Sequence, residues 1–185
     1  MNILQTGFPG LLVIGPQVFE DERGYFFESY QLHRFNEKAG ISQTFIQDNE
    51  SKSAKGTVRG LHYQVGDFAQ AKLVRVIQGS VFDVVLDIRK GSPTFGEWYG
   101  IELNDKNKKQ LYVPKGFAHG FSVLSESAIF SYKCDNLYNK SAERSINPFD
   151  STLDIDWKVD KQSAIVSNKD MNAPLFTEAE MNFKF

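Results

Sequence analysis

An all-β fold is what this sequence predicts: a sandwich or closed barrel of short strands with a few short helices. Three observations predict it. Short apolar runs recur along the chain and are broken by Gly, Asn, Asp and Pro, the punctuation of antiparallel strands. Alternation is clearest in VFDVVLDI (81–88). There Phe82, Val84, Leu86 and Ile88 share one apolar face, while Val81, Asp83, Val85 and Asp87 share a mixed face. Such a strand sets one wall on the core and the other on a polar cavity or solvent. Finally, only one segment stands out with helical spacing.

The elements follow in order. GLLVIGPQVF (10–19) and RGYFFESY (23–30) are the first strand candidates. A helix spans about 31–39, where Leu32, Phe35 and Ala39 recur at helical spacing and Gly40 supplies the stop. TFIQDN (44–49) and VRGLHYQ (58–64) return to strand. KLVRVIQ (72–78), the link Gly79-Ser80 and VFDVVLDI make the clearest strand pair. EWYGIEL (97–103), KQLYVP (109–114), GFSVLS (120–125) and AIFSYKC (128–134) complete the set. Lys106-Asn107-Lys108-Lys109 sits among turn residues and reads as a solvated hairpin tip. From about 146 to 185 the alternation fades, so short helical turns and loops packed over the strands are expected. No repeat or linker interrupts the chain, and residues 1–185 are expected to form one domain. About ten antiparallel strands with one short helix point to a jelly roll or a closed barrel.

Composition excludes several classes. The 185 residues suffice for one sizeable core, and the net charge is −2. No basic stripe is present, so no nucleic-acid partner is expected. The single cysteine, Cys134, rules out an internal disulfide. The first fifteen residues lack the charged start and long apolar run of a signal peptide. No stretch approaches the roughly 20 apolar residues of a membrane span. The expectation is a cytoplasmic protein without a membrane partner. Sixteen Phe serve either a core or a flat slot for a ring-shaped ligand, which composition does not separate.

Only three histidines are available for chemistry: His33, His62 and His119. His33 lies on the predicted helix, off its apolar face, and reads as a solvated side chain. His62 and His119 lie in β-rich segments among glycines and aromatics. Metal-binding jelly rolls commonly set two histidines two apart on one strand, but at that spacing His62 has Gly60 and Gln64. A metal site would need His62, His119 and a distant carboxylate. Proton transfer asks less, since an imidazole accepts a proton near neutral pH and needs a partner to fix its tautomer. Asp83, Asp87 and Asp170 are the candidate partners, and Tyr132 in AIFSYKC is a candidate acid. Arg23, Arg59, Lys72, Arg75 and Arg89 lie near aromatic strands, where a guanidinium suits a phosphate or diphosphate. Neither GxxxxGK nor GxGxxG occurs, so nucleotide binding of those two kinds is not indicated. By strict alternation Arg59 and His62 face opposite sides. Both reach one pocket only if Gly60 marks a bulge or twist, or if Arg59 bends round an edge.

Five segments in order carry a resemblance. They are DERGYFFESY (21–30), FIQDNESKS (45–53), VRGLHYQ with QAKLVRVIQGSVFDVVLDIRKGSPTFGEW (70–98), LYVPKGFAHGFSVLSESAIFSYKC (111–134), and SNKDMNAPL (167–175). Together they resemble the dTDP-4-dehydrorhamnose 3,5-epimerases from about Thr6 to Leu175. The resemblance implies a jelly-roll, cupin-like homodimer without metal or other cofactor. It implies action on a dTDP-4-keto-6-deoxyhexose, with inversion at C3 and C5, toward dTDP-L-rhamnose. It implies His62 as base, Asp170 as its partner, Lys72 beside O4, and Tyr132 as the acid on the opposite face. It assigns Arg23 and Arg59 to the diphosphate and nucleotide end. Glu28, Gln47 and Asn49 line the nucleotide and sugar sites, His119 contacts the sugar, and Tyr138 stacks near the nucleotide. Glu143 and Lys169 are also assigned to binding. The N-terminal strands, with Arg23 and Glu28, are expected to serve the partner subunit's site. Epimerases acting at C3 or C5 alone share most of these motifs. A non-catalytic sugar-binding jelly roll would not need His62, Lys72, Tyr132 and Asp170 together.

Overall fold

A computed structural model describes all residues, 1–185. Two six-strand layers face each other. The first runs in the order β1 (Asn2–Gln5), β2 (Leu12–Gly15), β10 (Gln110–Val113), β7 (Lys72–Gln78), β12 (Ser127–Cys134), β5 (Gln47–Ala54). The second runs β13 (Glu143–Ser145), β6 (Thr57–Gln64), β11 (Phe117–Val123), β8 (Ser80–Asp87), β9 (Trp98–Asn104), with β14 (Ile165–Val166) parallel to β6. A separate hairpin joins β3 (Val18–Asp21) to β4 (Gly24–Phe27). Helix α1 covers Leu32–Ala39 and stops at Gly40, as its spacing predicts, and α2 is a single turn, Asn168–Met171. The fold is all-β, as the alternation predicts, and of the two expected forms it is the two-sheet jelly roll.

Each layer's inner face follows from period-two alternation. Val74 and Val76 on β7, Phe130 on β12, Val81 and Val85 on β8, and Phe117 and Phe121 on β11 meet between the sheets. The outer face of the second sheet buries Val84 and Leu86 under the tail, where Ile146, Leu153 and Trp157 pack. Each large apolar side chain fully buried there contributes about 1.5–3 kcal/mol, enough to hold a segment that has little regular structure. The outer face of the first sheet packs Leu12, Ile14, Leu73 and Tyr112 against Phe35 of α1.

Several expectations change. KLVRVIQ and VFDVVLDI do not pair; β7 and β8 lie in different sheets. Gly79 between them is a corner with φ +85°, and a Cβ there would sit 2.2 Å from the Ser127 carbonyl oxygen. Only glycine lets the chain cross there from one sheet to the other. GLLVIGPQVF is likewise two strands, divided before Pro16, of which β3 leaves the sandwich. The segment 106–109 is not a hairpin tip: β9 and β10 belong to opposite sheets, and Lys108 lies over the Tyr25 ring. The mixed face of β8 does not meet solvent, because Asp83 and Asp87 are both fully buried.

Candidate active site

The site begins with one irregularity in β6. Across the β6–β11 pair, His62 stands opposite His119 and Arg59 opposite Phe121. Arg59 to His62 is three steps on β6, while Phe121 to His119 is two on β11. One residue is therefore extra, which defines a bulge. Gly60, with φ +117°, occupies it, and a Cβ there would lie 2.6 Å from the Cα of Gly120. The bulge returns Arg59 and His62 to one face, so Val58, Leu61 and Tyr63 all pack under the tail.

His62 Nε2 lies 2.7 Å from Asp170 Oδ1. The other oxygen of that carboxylate accepts the Gly60 N–H at 3.3 Å. Ser167 caps the turn that carries Asp170 by accepting its backbone N–H at 3.1 Å. Burial alone would raise the Asp170 carboxyl. The hydrogen bond and charge of His62, the Gly60 N–H and Ser167 outweigh it and hold the group below its ordinary value.

A second pair stands beside the first. His119 Nε2 lies 2.9 and 3.0 Å from the two oxygens of Asp83. The His119 ring stacks on Phe130. Burial pushes the Lys72 ammonium below its ordinary value, opposed by Cys134, Asp83 and Glu143. Burial pushes the Tyr132 phenol up, so at neutral pH it holds its proton. Lys72 Nζ sits 5.9 Å from the centre of the Tyr132 ring.

Two cavities share His62, Lys72 and Tyr132 as a common wall. One, about 160 Å³, is also lined by Gln47, Asn49, Tyr138 and Glu143. The other, about 140 Å³, is also lined by Arg59, His119 and Phe121. Arg59 is steadied by Ser53, whose hydroxyl accepts its Nε–H at 2.9 Å. At the rim, Gln47 Oε1 accepts the Tyr138 N–H, the Tyr138 hydroxyl donates to Glu143, and Lys169 pairs with Glu143 at 2.6 Å. A carboxylate-backed imidazole, an ammonium and a protonated phenol around one space can move protons at a carbon beside a carbonyl. No three His, Cys, Asp or Glu side chains converge as metal ligands would.

Residues 5–178 match the family described as dTDP-4-dehydrorhamnose 3,5-epimerase. The chain belongs to that family. The dTDP-4-dehydrorhamnose 3,5-epimerase of Shigella flexneri is 51% identical over 180 residues, covering 97% of this chain and 98% of that protein. A crystal structure of dTDP-4-dehydrorhamnose 3,5-epimerase from Elizabethkingia anophelis has a TM-score of 0.92 at 54% identity, covering 96% of this chain and 97% of that one. The dTDP-6-deoxy-D-glucose-3,5-epimerase of Legionella pneumophila, solved in complex with dTDP-4-keto-L-rhamnose, has a TM-score of 0.94 at 47% identity and covers 100% and 98%.

Most residues that the sequence assigns to an epimerase site gather here: His62, Lys72, Tyr132, Asp170, Arg59, His119, Gln47, Asn49, Tyr138 and Glu143, with Lys169 bound to Glu143. Arg23 and Glu28 do not. Arg23 sits exposed at the hairpin turn and pairs with Asp21, and Glu28 pairs with Arg34 at 2.8 Å. Glu28 lines a separate cavity of about 670 Å³, which lies among the hairpin, β2 and α1, away from both His–Asp pairs. Arg75 and Arg89 also stay out: Arg75 lies over the Phe27 ring, and Arg89 is bound to buried Asp87. Ser53 was not assigned from sequence, and Asp83, a candidate imidazole partner, backs His119 rather than His62. Alternation does carry Ser53, which shares a strand face with Gln47 and Asn49.

Proposed function

We propose that this epimerase-family chain converts dTDP-4-dehydro-6-deoxy-D-glucose to dTDP-4-dehydro-L-rhamnose by inverting C3 and C5. The product serves as the precursor that a later reductase turns into dTDP-L-rhamnose. The C4 ketone acidifies the protons on C3 and C5. His62 takes one such proton, and Asp170 stabilises the imidazolium that forms. The electron pair moves onto O4 as an enolate, which faces the Lys72 ammonium. Tyr132 then delivers a proton to the opposite face of the same carbon. Each round removes one proton and adds one, so nothing is oxidised or reduced. Arg59, His119, Gln47, Asn49, Tyr138, Glu143 and Lys169 hold the sugar and the nucleoside diphosphate. The carrying observation is the shared wall of His62, Lys72 and Tyr132 between the two cavities, with Asp170 behind His62.

The functional unit is a homodimer in which Arg23 and Glu28 complete the partner subunit's site. The β3–β4 hairpin supports this. It leaves the sandwich with Phe19, Tyr25 and Phe26 exposed, the kind of apolar surface that a partner subunit would cover. Residues 1–185 act as one domain, with 146–185 as its cover. The cytoplasm is the proposed compartment, supported by the unpaired Cys134.

The test is incubation with dTDP-4-keto-6-deoxyglucose in deuterium oxide, followed by reduction and sugar identification. Deuterium at C3 and C5 is expected. Uptake at one carbon would narrow the activity to a single-site epimerase, and no uptake would reject it.

A further inference from the structure

We propose that Asp83 is a positioning residue whose carboxylate holds His119 and, from the facing sheet, supports the charge of Lys72, the group that faces the reacting C4 oxygen. This rests on the epimerase reading above and extends it to a residue outside the sugar's reach. Asp83 is 0% exposed and lines neither cavity, so it acts only through its neighbours. Both its oxygens lie within hydrogen-bond distance of His119 Nε2. That contact fixes the ring's orientation and leaves Nδ1 as its other polar atom.

The tie to Lys72 crosses the sandwich. Lys72 is on the inner face of β7 and Asp83 is on the inner face of β8. They form no direct ion pair, but across the sandwich each charge favours the other: Asp83 raises the Lys72 ammonium's pKa, and Lys72 lowers the Asp83 carboxyl's. Burial works against both charges, pulling Lys72 down and pushing Asp83 up. A lysine that receives enolate charge must keep its proton until the enolate forms. A buried carboxylate behind it favours that state without touching the substrate. His62 already has Asp170, so the two carboxylates divide the work: Asp170 backs the base, and Asp83 backs the oxyanion side.

The other titratable or charged groups facing this space are Arg59, His62 and Tyr63 from β6, Tyr132 and Cys134 from β12, Glu50 from β5, Tyr138 and Glu143 at the rim and Asp170 from α2. The experiment leaves them unchanged. Asp83→Asn keeps the side-chain shape and removes the charge. We expect kcat to fall about tenfold near pH 8 with KM little changed, as for an interaction made mainly in the transition state. The alkaline limb of the kcat–pH profile should move to lower pH by about one unit, because Lys72 loses a countercharge and deprotonates earlier. A merely structural pair would lower kcat at every pH and leave the limb in place.

His119→Asn is the companion variant. It removes the ring but leaves Asp83 facing Lys72, so its limb should stay at or above the wild-type position. An unmoved limb in Asp83→Asn overturns the proposal, as does a downward move in His119→Asn. If Asp83→Asn fails to fold, as circular dichroism and melting would show, His119→Asn decides alone. Wild-type deuterium uptake separates the two ideas. Absent uptake rejects the epimerase and Asp83's role with it, whereas normal uptake with an unmoved limb rejects only the role of Asp83.

Discussion

Asp170→Asn isolates the charge behind the base. The variant keeps the side-chain volume, the Ser167 cap to its backbone and an oxygen able to accept the Gly60 N–H. It loses the carboxylate that faces His62 Nε2 at 2.7 Å. A hydrogen bond to a charged group is worth about 1.5–3 kcal/mol net. The Asp170 side chain is only 5% exposed, so water does not replace it. The interaction strengthens as His62 becomes imidazolium, so its loss falls on the barrier rather than on binding. At about 1.36 kcal/mol per factor of ten, kcat should fall about 10- to 150-fold with KM nearly unchanged. The assay is the initial rate of deuterium entry at C3 and C5, run beside a thermal melt. A folded variant whose exchange rate stays within about threefold of wild type would refute Asp170's role as the partner that activates His62.

Three further outcomes follow from the same geometry. Tyr132→Phe keeps the ring but loses the proton donor, so hydrogen exchange should persist while formation of inverted product falls by about 10²–10⁴; unchanged product formation in the reduction assay would count against Tyr132 as the acid. Asp87 binds Arg89 through Nε and Nη2 at 2.9 and 2.6 Å and also accepts from Ser92 and Thr94. Asp87→Ala strands the Arg89 guanidinium between Phe117 and Phe185 and should cost about 3–5 kcal/mol in urea unfolding. Burial would raise the Asp87 carboxyl, but Arg89, Ser92 and Thr94 hold it below its ordinary 3.8. Its ionic contribution is therefore complete above the unfolded value and lost as pH falls through the lower folded one, so the gap between wild type and variant should shrink below about pH 4. Arg23→Ala and His62→Ala should each be inactive alone yet recover activity when co-refolded, because one site of the mixed dimer is then intact; no recovery would place Arg23 in its own chain's site or outside catalysis.

Local pattern carried much of this molecule. The spacing of Leu32, Phe35 and Ala39 before Gly40 marked α1, and β8 showed its two faces residue by residue. Gly60 marked a place where alternation could break, with Arg59 bending round an edge as the other route; the bulge is what the β6–β11 register shows. The partners of these faces were not legible. A two-residue link such as Gly79-Ser80 suits a hairpin as well as a corner, and only the crowding by Ser127 decides for the corner. The strand QDNESKSA lacks apolar alternation because its inner face lines a polar cavity, so its length was underestimated. Three aspartates were candidates for His62. Asp83 and Asp87 met the alternation test, while Asp170, the one that binds His62, lies 108 residues away. Folding of the tail, not strand periodicity, brings it in.

The extra residue in β6 has a consequence for how the strand tolerates change. Losing one residue from a regular strand inverts every side chain beyond the cut. Removing Gly60 would do the opposite, since Arg59 and His62 would then stand two apart and stay in phase with β11. The shortened chain would keep its pattern of inside and outside and lack only the amide that a bulge withholds from the ladder. That amide is the one given to Asp170. Gly60 is thus spare to the weave of the sheet while its amide steadies the carboxylate behind the base, so natural shortening of β6 would keep the strand in phase and leave Asp170 one donor short.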